Sequence, residues 1–266
     1  MPMPPLTPEQ QAFYDTEGYL LVPGLFAAAD LAPWLQRLED ILTGRRIPAP
    51  GMLVMKDIMV AKGRVAAARP QDAIAKLQDL QDDPVFATFL HHERLLDLVE
   101  HFCGPDIKTV HNMLINKPPG VDGRHPLHQD LLYFPFRPAA RIVAVWTALE
   151  PVDRENGCLA VIPGSHRGEL LEHGNIDDNR NINLAYFGAR NVDLERRVHI
   201  PMAAGDTLFF HPLLLHGSGR NRSTGYRRAI SAHYAACECR FLPNGEQLAR
   251  VRHYRLVRGR ETAGGI

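Results

Sequence analysis

From Gly104-Pro105 onward the chain is a succession of short apolar runs broken by Gly, Pro and Asn, and this texture most constrains its fold. Candidate strands are Ile107–Asn116, Leu131–Phe136, Ile142–Leu149, Cys158–Ile162, Val198–Pro201, Asp206–Phe210 and Arg228–Tyr234. Short strands in such number, with turn signals between them, point to an all-β sandwich, jelly roll or barrel. The preceding residues read differently. Thr7, Pro8 and Gln10 supply an N-cap, a first-turn proline and a capping-box partner, and Gly18 stops the helix they open. Tyr19–Val22 reads as a short strand. Leu31, Trp34, Leu35, Leu38 and Ile41 predict a second helix from about Asp30 to Leu42. Residues 44–69 are mixed, with a loop at Pro48, Pro50 and Gly51. Spacing over 71–102 predicts two or three helices, with Ile74, Leu77 and Leu80 on one stripe and Leu95, Leu96, Leu98 and Val99 on another. Helices first and strands second fit one domain, a mainly β jelly roll with helices buttressing one face. Its expected parts are a helix-rich buttress over 1–104, a core over 105–240 and a C-terminal extension over 241–266.

Composition narrows the function. Lys plus Arg and Asp plus Glu both number 30, and a zero net charge argues against a dedicated nucleic-acid or polybasic membrane binder. No apolar stretch approaches the roughly 18–20 residues of a membrane-spanning helix. Residues 1–8 lack the pattern of a secretory signal. Four cysteines in 266 residues make no disulfide framework, and Cys237-x-Cys239 lacks the spacing of a zinc site. Arg far outnumbers Lys, which hints at a GC-rich genome and a bacterial cytoplasmic protein.

Histidine is the unusual count, at 13. His128-Gln129-Asp130 is an H-x-D triplet. On an extended segment, residues two apart share a face, so His128 and Asp130 can both reach one metal. His216, just past Leu213-Leu214-Leu215, is the best third ligand. Two histidines and a carboxylate form the facial triad of non-heme Fe(II) oxygenases, which leaves positions open for a 2-oxo acid and O2. The triplet alone is a weak signal, since most such triplets are surface or capping residues. Arg227 adds to it. If His216 ends one strand and Arg227 opens the next, antiparallel pairing brings a guanidinium near the metal, where it can clamp a carboxylate. A solvated turn charge is the ordinary alternative. His125 precedes His128 by three, and extended geometry turns it to the opposite face. His211 reads as structural. Gln129 reads equally well as a substrate contact or a support for the ligands.

These segments resemble the phytanoyl-CoA dioxygenase family of Fe(II)/2-oxoglutarate oxygenases. The matching stretches are LTPEQQAFYDTEGYLLVPGLF at 6–26, AIAKLQDLQDD at 73–83, HNMLINKPP at 111–119 and HPLHQDLLYFPFRP at 125–138. AVWTALE follows at 144–150, NGCLAVIPGSH at 156–166, GDTLFFHPLLLHGSGRN at 205–221 and GYRRAISAHY at 225–234. The resemblance implies a double-stranded β-helix, a cupin-like jelly roll. It implies His128, Asp130 and His216 as iron ligands, and Arg227 and Ser218 as partners of the 2-oxoglutarate carboxylate. Lys76, Met113 and Trp146 fall on further 2-oxoglutarate contacts. From the residues alone, Lys76 is an exposed lysine on an amphipathic helix, and Met113 and Trp146 are core packing. The implied cofactors are Fe(II), 2-oxoglutarate and O2, with ascorbate as reductant.

The implied reaction is hydroxylation of an aliphatic carbon, the 2-position of a fatty acyl-CoA, with release of succinate and CO2. The partner is then a small molecule, with neither nucleic acid nor membrane. Two alternatives stay open: the same cofactors acting on a small secondary metabolite, and a non-catalytic jelly roll that binds a ligand. Asp130 favours hydroxylation over halogenation, which needs a small residue there. Loops 118–127 and 167–195 are expected to border the pocket. Arg124, Arg180 and Arg190 can meet a CoA phosphate or be solvated charges.

Overall fold

A computed structural model describes residues 6–61, 63, 66–120, 123–175, 187–249 and 254–266. In chain order, the first half carries α1 (Pro8–Glu17), β1 (Tyr19–Val22), α2 (Ala28–Leu42), β2 (Leu53–Lys56), α3 (Ile58–Ala61), β3 (Ile74–Gln78), α4 (Ala87–Leu90), α5 (Glu93–Cys103), β4 (Ile107–Lys117), β5 (His125–His128), β6 (Phe136–Arg137) and β7 (Ile142–Ala148). The second half carries β8 (Leu159–Val161), β9 (His173–Asn175), β10 (Phe187–Ala189), β11 (Val198–Ile200), β12 (Thr207–Phe210), β13 (His216–Ser218), β14 (Arg227–Ala236), β15 (Arg240–Phe241), α6 (Gly245–Ala249) and β16 (Arg255–Arg258).

The strands form a jelly roll of two facing antiparallel sheets. The larger runs β1-β12-β7-β14-β4-β3-β2, with β16 also on β4; the smaller runs β11-β8-β13-β5. Strand β7 is buried along its whole length, and alternation divides it between two cores. Val143 and Val145 face a cluster that holds Trp34, Leu38, Leu95 and Val99 of the helices. Ala144, Trp146 and Ala148 face the second sheet and pack with Leu159, Val161 and Leu208. The helices thus cover the outer face of the large sheet, and its inner face is left to line a cavity.

The first helix forms as its sequence dictates. Thr7 Oγ1 accepts from Gln10 N at 3.2 Å, and Gln10 Oε1 accepts from Thr7 N at 2.9 Å. Gly18 closes it at φ 81°, a left-handed position that suits glycine.

Three expectations change. Ile74, Leu77 and Leu80 recur at a helical period, yet Ile74–Gln78 is strand β3. The β4 edge offers Lys76, Leu77 and Gln78 backbone partners at Ile115, Leu114 and Met113, and this pairing overrides local spacing in a short segment. Leu131–Phe136 is not a strand. Asp130–Tyr133 forms a 3-10 turn held by Leu131 N donating to Pro212 O, and only Phe136–Arg137 is extended. His125 does not turn away from His128. Across β5 and β13, His216 faces His128 but Ser218 faces His125, so β5 carries one extra residue. That bulge resets the alternation and puts both histidines on the cavity wall.

Candidate active site

His128 ends β5, and His216 lies directly opposite it at the start of β13. The backbone then turns into the 3-10 segment, which swings Asp130 back toward both. The three ligand atoms lie within 4.8 Å of one another, with Asp130 Oδ1 3.4 Å from His128 Nε2 and Oδ2 3.5 Å from His216 Nε2. His128 Nδ1 donates to Pro126 O at 2.8 Å and His216 Nδ1 to Leu214 O at 3.0 Å. A carbonyl only accepts, so each Nδ1 carries the proton and each Nε2 presents its lone pair to the centre. His233 Nε2 meets Asp130 Oδ2 at 2.8 Å.

Electrostatics favour the metal-ready states of Asp130 and His216. Burial alone would raise the Asp130 pKa. The charges of His216 and His233 and the hydrogen bonds from His128 and His233 hold it well below the usual carboxylate range. Burial pushes the imidazolium of His216 down to about 4 despite Asp130, so the ring is neutral near pH 7. His128 is also penalised by burial, but its hydrogen bond with Asp130 raises it overall. Two neutral imidazoles and a carboxylate can hold a divalent transition metal.

The eight proposed iron and 2-oxoglutarate residues line one cavity of about 340 Å³: His128, Asp130, His216, Arg227, Ser218, Lys76, Met113 and Trp146. Strand register explains this. On the inner face of the large sheet, Trp146 pairs with Ser231 and Ser231 with Met113, and Met113 pairs with Gln78. One row away, Ala229 pairs with Ile115 and Ile115 with Lys76. Arg227 begins the next row, opposite Lys117, and His233 lies at the metal end opposite His111.

Arg227 does not reach the site as its spacing from His216 suggested. His216 opens β13 in the small sheet, whereas Arg227 opens β14 in the large one, and they meet across the cavity rather than by pairing. Arg227 is 2% exposed, and its guanidinium carbon lies over the Trp146 ring, 5.4 Å from the centroid. Its Nε has no hydrogen-bond partner among the described residues, and burial lowers its pKa to about 9. Lys76 is likewise lowered by burial, to about 8. It sits on a strand, not on the exposed face of a helix.

Gln129 supports the site from behind. Its Nε2 donates to Leu213 O and Glu169 O, and its Oε1 accepts from Leu171 N. His233 escaped sequence reasoning, although stepping by two from Arg227 along an extended run leads to it. His125 was masked by the bulge. The cysteines are free and buried. Arg190 pairs with Glu172 at 3.1 Å. Arg180 lies outside the described residues, as do parts of both bordering loops. Among the described residues, no helix is long and apolar enough to cross a membrane.

A family model described as phytanoyl-CoA dioxygenase (PhyH) matches residues 14–229. Peroxisomal phytanoyl-CoA dioxygenase of Rattus norvegicus is 43% identical over 241 residues, covering 89% of this chain and 70% of its own. A probable phytanoyl-CoA dioxygenase of Caenorhabditis elegans is 44% identical over 246 residues, covering 89% and 78%. Among solved structures, the epimerase SnoN in complex with Fe3+, alpha ketoglutarate and nogalamycin RO superposes with TM-score 0.69 at 22% identity, covering 90% of this chain and 88% of its own. EctD from S. alaskensis with 2-oxoglutarate and 5-hydroxyectoine gives 0.67 at 21% identity, covering 89% and 78%. These two structures share the fold.

Proposed function

The chain belongs to the phytanoyl-CoA dioxygenase family, and on that premise we propose that it hydroxylates the 2-position of a fatty acyl-CoA with Fe(II), O2 and 2-oxoglutarate. Residues 1–104, 105–240 and 241–266 then act as one catalytic unit. The donor set fits the metal, because two imidazoles and one carboxylate bring their ligand atoms within 4.8 Å of one another, the donor types of a non-heme Fe(II) site. The buried guanidinium of Arg227, with its unpartnered Nε, fits an anionic cosubstrate. Bound Fe(II) supplies O2 activation coupled to decarboxylation of 2-oxoglutarate, giving succinate and CO2, with ascorbate as an external reductant.

The protein's own groups do the rest. His128, Asp130 and His216 would hold the metal through His128 Nε2, His216 Nε2 and the Asp130 carboxylate. Arg227 and Ser218 hold the distal carboxylate, and Lys76 adds a second positive charge beside it. Met113 and the Trp146 ring pack against the cosubstrate's methylenes and keep water away. The acyl chain lies along Met55, Tyr133 and Phe134, which also line the cavity. Met55 and Tyr133 are 39% and 37% exposed, and Leu132 beside them is 38% exposed. A cavity at the small end of ligand pockets with an apolar mouth favours a long chain that enters only by its reacting end. That favours an acyl-CoA over a compact secondary metabolite. The proposed setting is the bacterial cytoplasm, from the predominance of Arg over Lys.

The observation that carries this reading is the convergence on one cavity of the His128, Asp130 and His216 triad and a buried arginine whose Nε has no hydrogen-bond partner among the described residues. The test is succinate release with Fe(II), 2-oxoglutarate and a panel of acyl-CoAs and small metabolites. Acyl-CoA is expected to stimulate turnover and gain one oxygen, and His128→Ala and Arg227→Ala to abolish the stimulation. Equal turnover in wild type and both variants would overturn the assignment. Metal binding without turnover on any compound would favour a ligand-binding module.

A further inference from the structure

Lys117 is the last residue of β4 and pairs directly with Arg227 across the sheet. It is 2% exposed. Its Nζ donates to Ser218 Oγ at 2.7 Å and to Gly219 O at 2.6 Å. Asn221 Nδ2 donates to Lys117 O at 3.0 Å and to Gly225 O at 2.7 Å, tying this end of β4 to the turn that leads into Arg227.

The chemistry of these groups has a directional consequence. An ammonium has no acceptor, so Lys117 must donate to Ser218, and Ser218 Oγ must receive with a lone pair. The hydroxyl hydrogen is then free to point elsewhere. Ser218 lines the cavity, and among the described residues its hydroxyl has no other hydrogen-bond partner. The remaining direction is into the cavity, beside Arg227. A positive donor also polarises the hydroxyl and strengthens the bond it gives. Two cationic side chains directly opposite on one face weaken a sheet, so packing alone does not favour the Arg227–Lys117 pair.

We propose that Lys117 is a positioning residue for the cosubstrate's distal carboxylate, acting through Ser218, which it fixes as a hydrogen-bond donor into the cavity. The inference rests on the proposed function, because that reading puts a carboxylate where Ser218 points. Lys117 itself does not touch the cosubstrate. Two of its N–H groups are directed to Ser218 and to the Gly219 carbonyl.

The experiment measures 2-oxoglutarate binding to Mn(II)-loaded protein, with 2-oxobutyrate, which lacks the distal carboxylate, as the comparison probe. Lys117→Met is expected to weaken 2-oxoglutarate about tenfold, the scale of one hydrogen bond to a charged group. It should leave 2-oxobutyrate unchanged. Ser218→Ala should give the same selective loss, and the double variant no more than either single one, since both remove one unit. Lys117→Arg, which keeps a charged donor, should recover most of the affinity and serves if Lys117→Met does not fold. Wild-type affinity in Lys117→Met, additive losses in the double variant, or a parallel loss of 2-oxobutyrate would overturn the proposal. Failure of wild-type protein to bind 2-oxoglutarate at all would overturn the proposed function, and this inference with it.

Discussion

His128 and His216 stand directly opposite one another across β5 and β13, with ring centroids 4.3 Å apart. The metal centre is therefore a cross-strand pair completed by a turn residue, Asp130. Its geometry depends on how closely those two strands approach.

Gly217 sets that approach. A Cβ there would lie 2.7 Å from His125 O and 3.0 Å from Leu127 N, both backbone atoms. Gly217→Ala is expected to destabilise the protein by about 1–3 kcal/mol through overpacking. By forcing β5 from β13 it should also weaken Mn(II) binding. Gly219→Ala, with nothing within 4 Å of the new methyl, should do neither. Thermal unfolding and metal titration of the two variants check this, and equal behaviour would refute it.

His233 orients Asp130 through its 2.8 Å contact with Oδ2. Removing a partner that orients a metal ligand typically costs about 10–100-fold in affinity. His233→Ala should show a loss in that range for Co(II) or Mn(II), visible in the d–d spectrum of Co(II) as altered coordination. Unchanged affinity and spectrum would assign His233 to packing against Phe134 alone.

Arg227 bears on stability in the opposite sense. Its charge is buried without a carboxylate partner among the described residues. Arg227→Met should therefore leave the ligand-free protein at least as stable as wild type. In the presence of Mn(II), 2-oxoglutarate at 100 times its Kd should stabilise wild type by about 2.7 kcal/mol and the variant hardly at all. Differential scanning fluorimetry reads both halves. A destabilised apo variant would mean that Arg227 has a structural partner.

Lys76 gives a pH signature. Burial lowers its folded-state pKa from 10.5 to about 8. Between about pH 8 and 10.5 the unfolded chain holds this proton and the folded one has lost it, so stability rises with pH across that window. Below it, the penalty of the buried charge applies in full. The stability of wild type relative to Lys76→Met should thus improve as pH rises from 8 to 10.5. Cosubstrate affinity should run the other way, weakening above pH 8 in wild type as the ammonium is lost and remaining flatter in Lys76→Met. Parallel pH profiles in both proteins would remove Lys76 from the binding site.

The sheet core and the site were legible to different depths. The runs at Ile107, Ile142, Asp206 and Arg228 became strands because apolar alternation, turn residues and sheet partners all agree there. His128 and Asp130 were readable as a pair, though not by the geometry invoked: Asp130 comes back to the metal through a 3-10 turn, not along a strand. Ile74–Gln78 misled because five residues cannot distinguish a helix stripe from a strand, and the deciding partner lies on β4. His125 misled because a bulge is a property of two strands together, and nothing in β5 alone announces it. Lys117 carried no sequence signal, since its importance lies in where Ser218 arrives from the other sheet.

His216 and Ser218 share one face of β13 with a single residue between them, which sets their backbones about 6.6 Å apart. β13 is bonded on both flanks, to β5 and to β8, so this interval cannot stretch. On the proposed reading, a metal ligand and the hydroxyl that meets the cosubstrate's distal carboxylate are held at this fixed interval, and the strand acts as a ruler. A 2-oxo diacid one methylene shorter leaves one end unmet, and one methylene longer must buckle. Choice among four-, five- and six-carbon acids then draws on the pitch of the backbone together with the reach of Arg227 from the facing sheet.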